Sequence, residues 1–378
     1  MRKLKFIWIV LSALMLAGAC SRLDEQNAAL NIYVRLPEDV TTKAATDWST
    51  LFNRETRIND LKIWVFLNES TDASLPAGQL LGYLEPKQLN VVSGKVQKFT
   101  IPLKKEEAAK IKKVDVYVLA NSLAIQMQEV GKTTTSAELD ALTLSGNRFG
   151  IAVNGSPTNT SVIDNQGLPY TAVGKALTLS RSGSNLSLDN ETLELVRTVS
   201  KVQFVFSQIK LSSGETPVPF SINWLELDSG QIPEQEYLFN DSANKYKIGN
   251  EYVSRTLTFP GLPKDDIVGN TNPSSYVYSS NETPQEYQAR IHEALVNNTL
   301  TGYAPCYLRE SDKALTGKIN YTLGTFAPKT LDFSMSADEK FTRNSSWVLY
   351  FYINNNSLSL SVSYADWTSD GSYTIIGR

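Results

Sequence analysis

The sequence predicts a mainly β protein with two antiparallel β-sandwich domains, short helical connections and an N-terminal export signal. Segments in which apolar, β-branched or aromatic residues alternate with polar ones recur along the whole chain, as they do in half-buried strands. Clusters of Ser, Thr, Asn, Gly and Pro separate these segments, which is typical of turns and surface loops. We find no internal repeat with a period of roughly 20 to 50 residues, which argues against propellers and solenoids.

The start of the chain has the layout of an exported lipoprotein. A basic segment, Met1 to Lys5, precedes an apolar run from Phe6 to Leu16, and Ala17-Gly-Ala-Cys20 follows. The apolar run is shorter than the ~20 residues that cross a membrane as a helix, so it is a signal-peptide core. We expect cleavage between Ala19 and Cys20 and a lipid on the Cys20 thiol. The alternative is an ordinary secretory signal cut near Ala19, with Cys20 a bystander.

Six segments carry the strand pattern most clearly. In chain order they are Leu30–Leu36, Leu61–Leu67, Val114–Leu119, Val199–Phe206, Trp347–Ile353 and Leu358–Tyr364. Aromatic residues within and beside these segments are expected to be buried, because pleated and half-buried surfaces favour them. They are Trp64, Phe66, Tyr117, Phe204, Trp347, Tyr350 and Trp367.

Two short helices are predicted between strands. Thr135-Ser-Ala-Glu138 forms a capping box, and Thr283-Pro-Gln-Glu286 combines a capping box with proline at the first helical position. The mostly polar stretch from Ser180 to Asn190 separates two strand-rich halves. We therefore divide the chain into a signal peptide (1–19), a first strand and its loop (20–46), an N-terminal sandwich (47–190) and a C-terminal sandwich with a tail (191–378).

The composition and the small number of Cys and His residues exclude several classes of function. A formal net charge of −3 and a pI near 5.5 argue against binding of nucleic acid. If Cys20 carries lipid, Cys306 has no disulfide partner, and we expect it to be a buried core residue. His292 alone cannot form a zinc cluster, and nothing near it resembles a nucleophile motif. We expect no cofactor, no metal and no enzymatic activity, with membrane attachment only through the lipid.

Four stretches together resemble the fimbrillin family, the subunits of type V pili of Bacteroidia. The first two are Ile58–Phe66, similar to the family's opening core strand, and Val116–Asn121, similar to its strand that ends in Ala-Asn. The third is Val196–Phe204, similar to the strand that opens the second domain. The fourth is Thr342–Trp347, followed by Leu360–Trp367, similar to the final strands. The resemblance implies two transthyretin-like β-sandwich domains and a structural subunit of a cell-surface fimbria that contributes to adhesion.

The resemblance also implies an assembly mechanism. In this family proteolysis removes the first strand, and a strand of a neighbouring subunit fills the vacated groove. The removable strand here would be Leu30 to Leu36, with Leu30, Ile32, Val34 and Leu36 on one face. The loop that follows contains the matching basic dipeptide, Lys43-Ala44, which implies a trypsin-like protease. Arg35, Arg54 and Arg57 are weaker candidates, and Lys43 as an ordinary solvated lysine is an equal alternative.

The strand that fills the groove is expected from the C-terminus of a neighbouring subunit. Leu358–Tyr364 alternates, and the tail Ser372–Gly377 presents Tyr373, Ile375 and Ile376. The alternative for the tail is an edge strand packed on its own subunit. The implied partners are other copies or related subunits in a head-to-tail polymer, the lipoprotein-processing machinery and the protease.

Another class of function remains open. Glycan-binding surface lipoproteins of polysaccharide-uptake systems are also β-sandwiches behind a lipoprotein signal, with exposed aromatic residues that stack on sugars. Here Trp64, Trp224, Trp347 and Trp367 fall within or beside strand patterns and only Trp48 lies in a loop-like stretch, so the sequence favours the fimbrial subunit. A secreted hydrolase is disfavoured because no catalytic constellation is present. Stalk, tip and anchor roles all stay open at this level.

Overall fold

The structure is a computed structural model. It describes the residues 27–36, 57–86, 95–127, 129–145, 167–189, 191–208, 220–240, 251–254, 256–259, 286, 306–335, 342–354, 357–366 and 373–376. Within these ranges, no helix combines the length and the apolar character that crossing a membrane would need.

The described residues up to Arg197 contain ten strands and three short helical segments. They are β1 (Asn27–Arg35), β2 (Leu61–Ser70), β3 (Leu80–Leu84), β4 (Val96–Lys104), α1 (Lys105–Ala108), β5 (Ile111–Ala120), a 3-10 turn (Ser122–Ile125), α2 (Ser136–Ala141), β6 (Thr143–Ser145), β7 (Tyr170–Ser182), β8 (Asn185–Leu188), β9 (Leu193–Glu194) and β10 (Val196–Arg197).

The rest of the described chain contains ten further strands. They are β11 (Val199–Gln208), β12 (Phe220–Leu227), β13 (Gln235–Tyr237), β14 (Leu257–Phe259), β15 (Cys306–Arg309), β16 (Thr316–Leu323), β17 (Lys329–Ser334), β18 (Ser345–Asn354), β19 (Ser357–Asp366) and β20 (Tyr373–Ile376).

One nine-stranded sheet wraps around the first core, in the order β3-β2-β5-β7-β8-β1-β4 with β9 and β10 beside it. The sheet folds back on itself at β7, because the first part of that strand pairs with β5 and its last residues pair with β8. Ala176 has a left-handed backbone (φ 52°) close to this change of partner. β3 and β4 are the two end strands of this sheet, and they lie close together. A side chain at Gly82 of β3 would clash with Ile101 of β4.

The second core lies between two sheets. One has five strands in the order β15-β11-β18-β19-β20, and the other has four in the order β14-β12-β16-β17. Stacked and edge-on phenylalanines join them, with Phe351 of β18 5.1 Å from both Phe206 and Phe333. The first buried cluster runs through Val199 and the second begins at Val202. The proposed domain boundary near residue 190 stays a prediction, because a folding unit is defined by independent folding.

The mainly β fold class is confirmed, but the sheets are mixed and not purely antiparallel. β1 runs parallel to β8 and β9, and β11 runs parallel to β18 over eight residue pairs. An alternating pattern shows which face of a strand is buried and carries no information about the direction of the neighbouring strand.

Other sequence predictions can be checked in the described residues. The capping box at Thr135 is present, with the Glu138 backbone N–H donating to the threonine hydroxyl at the start of α2. Trp64, Phe66, Tyr117, Phe204 and Trp347 are buried, as is Cys306. Burial raises the pKa of the Cys306 thiol to about 12, so it stays protonated and unreactive. The second predicted helix, apart from Glu286, and the side chains of Tyr350 and Trp367 lie outside the described residues.

A small sheet joins the two halves. β13 from the second half pairs antiparallel with β6 from the first, with Tyr237 opposite Thr143. The following residues continue into the first core, where the Phe239 ring lies 5.2 Å from the Tyr117 ring in an edge-on contact. The Leu238 backbone N–H donates to the Leu142 carbonyl at 2.9 Å. The segment 235–239 therefore fixes one half against the other.

Candidate functional site: the first strand and its place in the sheet

The first strand, β1, alternates strictly between core and surface. Its inward side chains are almost completely buried, and they are Ala28, Leu30, Ile32 and Val34, continued by Leu36 just beyond the strand. Between them, Ala29, Asn31 and Tyr33 are half-buried and Arg35 is exposed. The sequence prediction of a strand with Leu30, Ile32, Val34 and Leu36 on one face is therefore confirmed.

Backbone pairing holds β1 on both sides. It pairs antiparallel with β4 over nine residues, from Asn27 opposite Lys104 to Arg35 opposite Val96. On its other side it runs parallel to β8 and then to β9, where Leu30 lies opposite Leu186 and Val34 opposite Leu193. β1 is thus an interior strand of the sheet.

β4 depends on β1 for its place. In the described part of the chain, β4 forms strand pairs with β1 alone and is the last strand of the sheet on that side. Its outer edge carries Lys98, Pro102 and Lys104, which are exposed. Lysine and proline on an edge discourage the addition of a further strand from outside. A further strand is therefore discouraged from pairing with the outer side of β4.

The side-chain bonds described on the outer surface of β1 are mostly exposed. The Ala29 backbone N–H donates to Asn185 Oδ1 at 3.1 Å, and Asn31 accepts from the Thr100 hydroxyl at 3.1 Å. Arg35 Nε lies 3.6 Å from Glu194, with side chains that are 53% and 60% exposed. An ion pair this exposed contributes little stability. The strand is held by its apolar face and its backbone.

The consequence of losing β1 can be stated in physical terms. Burying a Leu, Ile or Val side chain completely contributes roughly 1.5–3 kcal/mol, so the four large side chains on the inner face together contribute on the order of 10 kcal/mol. Without β1, β4 would lose its partner and the backbone groups of β8 and β9 would be left unpaired in an apolar groove. Another strand of the same direction and apolar pattern could restore the pairing of β4 and of β8 and β9.

The predicted processing residues Ala19, Cys20, Lys43 and Ala44 lie outside the described residues, as does Arg54. Of the weaker candidates, Arg35 lies at the end of β1 and Arg57 is exposed just before β2. Arg35 is therefore part of the strand itself, whereas cleavage at Lys43 would release the whole of it.

The C-terminal strands pair within their own subunit. β19 pairs with β18 over ten residues, and β20 pairs with β19 from Tyr373 opposite Ala365 to Ile376 opposite Val362. β20 is the outermost strand on this side of its sheet. The predicted tail residues Tyr373, Ile375 and Ile376 thus lie on an edge strand of four residues, although the orientation of their side chains lies outside what the structure describes.

Comparison with known proteins gives the fold a context. No family model matches the chain, and no curated protein matches it by sequence. A structure from Parabacteroides distasonis, described as a candidate cell adhesion protein, has a TM-score of 0.52 at 15% identity, covering 91% of this chain and 98% of that one. The fimbrilin FimA of Porphyromonas gingivalis has a TM-score of 0.49 at 14% identity, covering 91% and 98%. The fold is similar to that of the Parabacteroides distasonis protein. At this identity the likeness shows the fold alone.

Two asparagines from the sequence stretches that resemble fimbrillins explain part of this fold. Asn121 and Asn344 both have left-handed backbones, with φ of 58° and 61°, which asparagine tolerates better than most residues. The Asn121 amide donates to the Arg57 carbonyl at 2.7 Å, and its oxygen accepts from the Asn59 backbone at 2.8 Å. It thereby fixes the start of β2 against the end of β5.

Asn344 has the corresponding role in the second half. Its backbone N–H donates to the Val199 carbonyl at 2.9 Å, and its side-chain oxygen accepts from the Arg197 backbone at 3.3 Å. Nearby, the Ser200 hydroxyl donates to the Thr342 carbonyl. The third and fourth stretches of the sequence resemblance therefore meet in space, where β11 and β18 begin side by side.

Sequence reasoning missed a buried charge cluster at the junction of the halves. It consists of Glu236, Arg309, Glu310 and Arg343. Arg343 Nε lies 2.9 Å from Glu310, and the Glu310 backbone N–H donates to Glu236 Oε2 at 2.8 Å. Arg343 also donates to the carbonyls of Tyr237 and Leu238. These residues come from three separate segments, so no spacing pattern in the sequence indicates that they lie together.

Burial decides the protonation of this buried charge cluster. It raises the pKa of Glu236 to about 8, and the charge of Glu310 acts in the same direction. Arg343, the hydrogen bond from the Glu310 backbone and Arg309 oppose it. Glu236 Oε1 is buried without a hydrogen-bond partner. A neutral carboxylic acid is therefore the favoured form at pH 7. The residues that the structure describes contain no group of His, Cys, Asp and Glu able to hold a metal ion.

Proposed function

We propose that this chain is a structural subunit of a cell-surface fimbria, assembled by replacement of its first strand and contributing to adhesion. The observation that supports it most is the position of β1, an interior strand with a fully buried face that lies shortly after the predicted lipidation site, Cys20. The fold shared with fimbrial and cell adhesion proteins agrees with this proposal and with a role that is not enzymatic.

The proposed route begins with export. The signal peptide is removed at Ala19, Cys20 is lipidated by the lipoprotein-processing machinery, and the lipid holds the precursor at the outer membrane facing the cell surface. β1 lies only a few residues beyond Cys20, so the anchor and the first strand are on the same short segment. Cleavage between Lys43 and Ala44 by a trypsin-like protease then separates both from the rest of the subunit at once.

The vacated position specifies the strand that can fill it. A replacement must run antiparallel to β4 and parallel to β8 and β9, and must place apolar side chains at every second residue over the length of β1. The C-terminal segment of this chain has two stretches of that kind. Leu358, Leu360, Val362 and Tyr364 alternate with small polar residues but lie on β19, which is an interior strand of its own sheet. The tail with Tyr373, Ile375 and Ile376 lies at the edge, and we propose that this tail is donated by a neighbouring copy or a related subunit in a head-to-tail polymer.

Processing is tested with Lys43 variants in cells. Lys43→Gln is expected to accumulate as a lipidated precursor without polymer, because a trypsin-like protease requires the basic side chain. Lys43→Arg is the matched variant that should still be cut. Arg57→Gln, at an exposed basic residue just before β2, should polymerise normally. Fibres of normal length from Lys43→Gln, or fibre subunits whose N-terminus is still Cys20, would show that the site is wrong.

A further inference from the structure

The outer face of the four-stranded sheet β14-β12-β16-β17 has an unusual composition. Its inner face packs on the second core through Ile222, Leu225 and Ile319. The strand register shows what lies on the opposite face. One row across the four strands contains Thr258, Glu226, Lys318 and Asp332, and the next contains Trp224, Asn320 and Thr330.

A β-bulge shapes this face. The register between β12 and β16 shifts between Ile222 and Trp224, so Asn223 is an extra residue without a partner on β16. Ile222 and Leu225 on either side are buried, whereas Asn223 and Trp224 are half-buried. The bulge therefore turns two consecutive side chains, an amide and an indole, toward the same outer face. Bulges commonly redirect side chains in this way at functional positions.

A ladder of side-chain hydrogen bonds orders the polar groups beside the indole. The Asn223 amide donates to Asn320 Oδ1 at 2.6 Å and to the Thr322 hydroxyl at 2.9 Å, and the Asn320 amide donates to the Thr330 hydroxyl at 2.7 Å. Both threonine hydroxyls act as acceptors in this ladder, and a hydroxyl that accepts a hydrogen bond can still donate one. We call Asn223, Trp224, Asn320, Thr322 and Thr330 the indole–amide patch.

We propose that the indole–amide patch binds a neutral hexopyranose oligosaccharide. A sugar ring presents one face of C–H groups, which stacks on an indole, and a rim of hydroxyls, which pair with amides and hydroxyls. The fixed ladder lowers the ordering cost of binding, because its side chains are already held in place. The proposal does not depend on fimbrial assembly, since the patch belongs to a single subunit.

The chemistry of the face argues against other occupants. Glu226 and Asp332 flank Lys318 in the neighbouring row, so positive charge is not concentrated where an acidic ligand would need it. A protein partner would need several apolar or aromatic anchors at the centre of its interface, and the patch offers one. Among the tryptophans that the structure describes, Trp64 and Trp347 are buried in the cores, so Trp224 is the one available for stacking.

The test is direct binding to the purified full chain, by calorimetry and by quenching of tryptophan fluorescence. The probes are maltohexaose, cellohexaose, mannohexaose and a desialylated complex N-glycan, with the sialylated form of the same glycan as the charged probe. At least one neutral probe should bind at micromolar to low millimolar concentration. Trp224→Ala should weaken that binding by about tenfold or more, and Trp224→Tyr should restore most of it.

Controls separate recognition from folding. Phe326→Ala removes an aromatic ring that is 67% exposed in the turn between β16 and β17 and is not a member of the indole–amide patch, so it should leave binding unchanged. Thr330→Ala changes an exposed member of the patch and should weaken binding several-fold even if Trp224→Ala fails to fold. Binding of none of the neutral probes, binding of the charged probe alone, or full binding by both Trp224→Ala and Thr330→Ala would overturn the proposal.

Discussion

The first and last strands of the chain are held in opposite ways. β1 is an interior strand, paired on both sides, with an inner face that is almost completely buried. β20 is an edge strand with four residue pairs to a single neighbour among the described strands. An interior strand leaves only if the sheet on both sides gives way, whereas an edge strand can detach while the rest of its sheet stays paired. In the proposed assembly, the release of β1 therefore needs a protease, whereas the release of β20 does not.

The largest expected effect follows from removing β1. A chain that begins at Ala44 should lose cooperative unfolding of the first core, because on the order of 10 kcal/mol of apolar burial is lost from a fold whose total stability is typically about 5–15 kcal/mol. A synthetic peptide of residues 27–36 should restore it. Thermal melts followed by circular dichroism measure both.

The matched control is a peptide of the same composition in which the inner and outer residues of β1 are exchanged, which should not restore the melt. If the chain that begins at Ala44 unfolds cooperatively within a few degrees of the full chain, the strand is not an essential part of the first core and the contrast with β20 disappears.

Single substitutions within β1 sharpen the contrast between its two faces. Ile32→Ala removes a completely buried side chain from the first core and should lower the free energy of unfolding by about 2–5 kcal/mol. Tyr33→Ala, one residue along on the half-buried outer face, should cost clearly less. Urea unfolding of both variants gives the comparison, and equal losses would contradict the assignment of the two faces.

β1 lies in the sheet of the first core and β20 in a sheet of the second, and Glu236 lies where the two halves meet. The pH dependence of stability therefore tests this junction. The pKa of Glu236 is about 8 in the folded protein and near 4.5 when unfolded, so the native state binds this proton more tightly. This contribution to stability is complete below the unfolded value and is lost as the pH rises to about 8 and above. Arg343, Glu310 and Arg309 are the charged groups that act on it.

Glu236→Gln should remove that part of the pH slope, because the amide occupies the same space and does not titrate. Glu194→Gln changes an exposed carboxylate on β9 and should keep it. Free energies of unfolding in urea, measured for both variants at several pH values between about 5 and 9, give the two pH slopes to compare. A slope that is unchanged in Glu236→Gln would show that another group titrates at the junction.

The smallest effect is expected at the tail. Deleting residues 372–378 removes an edge strand with four backbone pairs, so the melting temperature should fall by only a few degrees. The same chain should be processed normally and should fail to extend a fibre, if the tail contributes to filling the groove of a neighbour. Loss of folding would show that the tail is an ordinary core strand, and fibres of normal length would remove it from assembly.

The sequence alone determined the elements and their buried faces. Alternation in Leu30–Leu36 predicted both a strand and its inner residues, the capping box at Thr135 predicted the start of a helix, and the aromatic residues of Leu61–Leu67 and Val199–Phe206 predicted core positions. These properties depend on side-chain spacing within a few residues, which is local and therefore visible in the sequence.

Tertiary structure alone decided which elements meet. The parallel pairing of β1 with β8 and of β11 with β18, the interior place of β1, and the edge position of β20 depend on contacts between residues far apart in the chain. The same holds for the buried charge cluster, whose members Glu236, Glu310 and Arg343 come from separate segments, and for the bulge that turns Trp224 outward from an otherwise ordinary strand pattern. Spacing along a sequence encodes the face of a strand, but its neighbours are selected by packing across the whole fold.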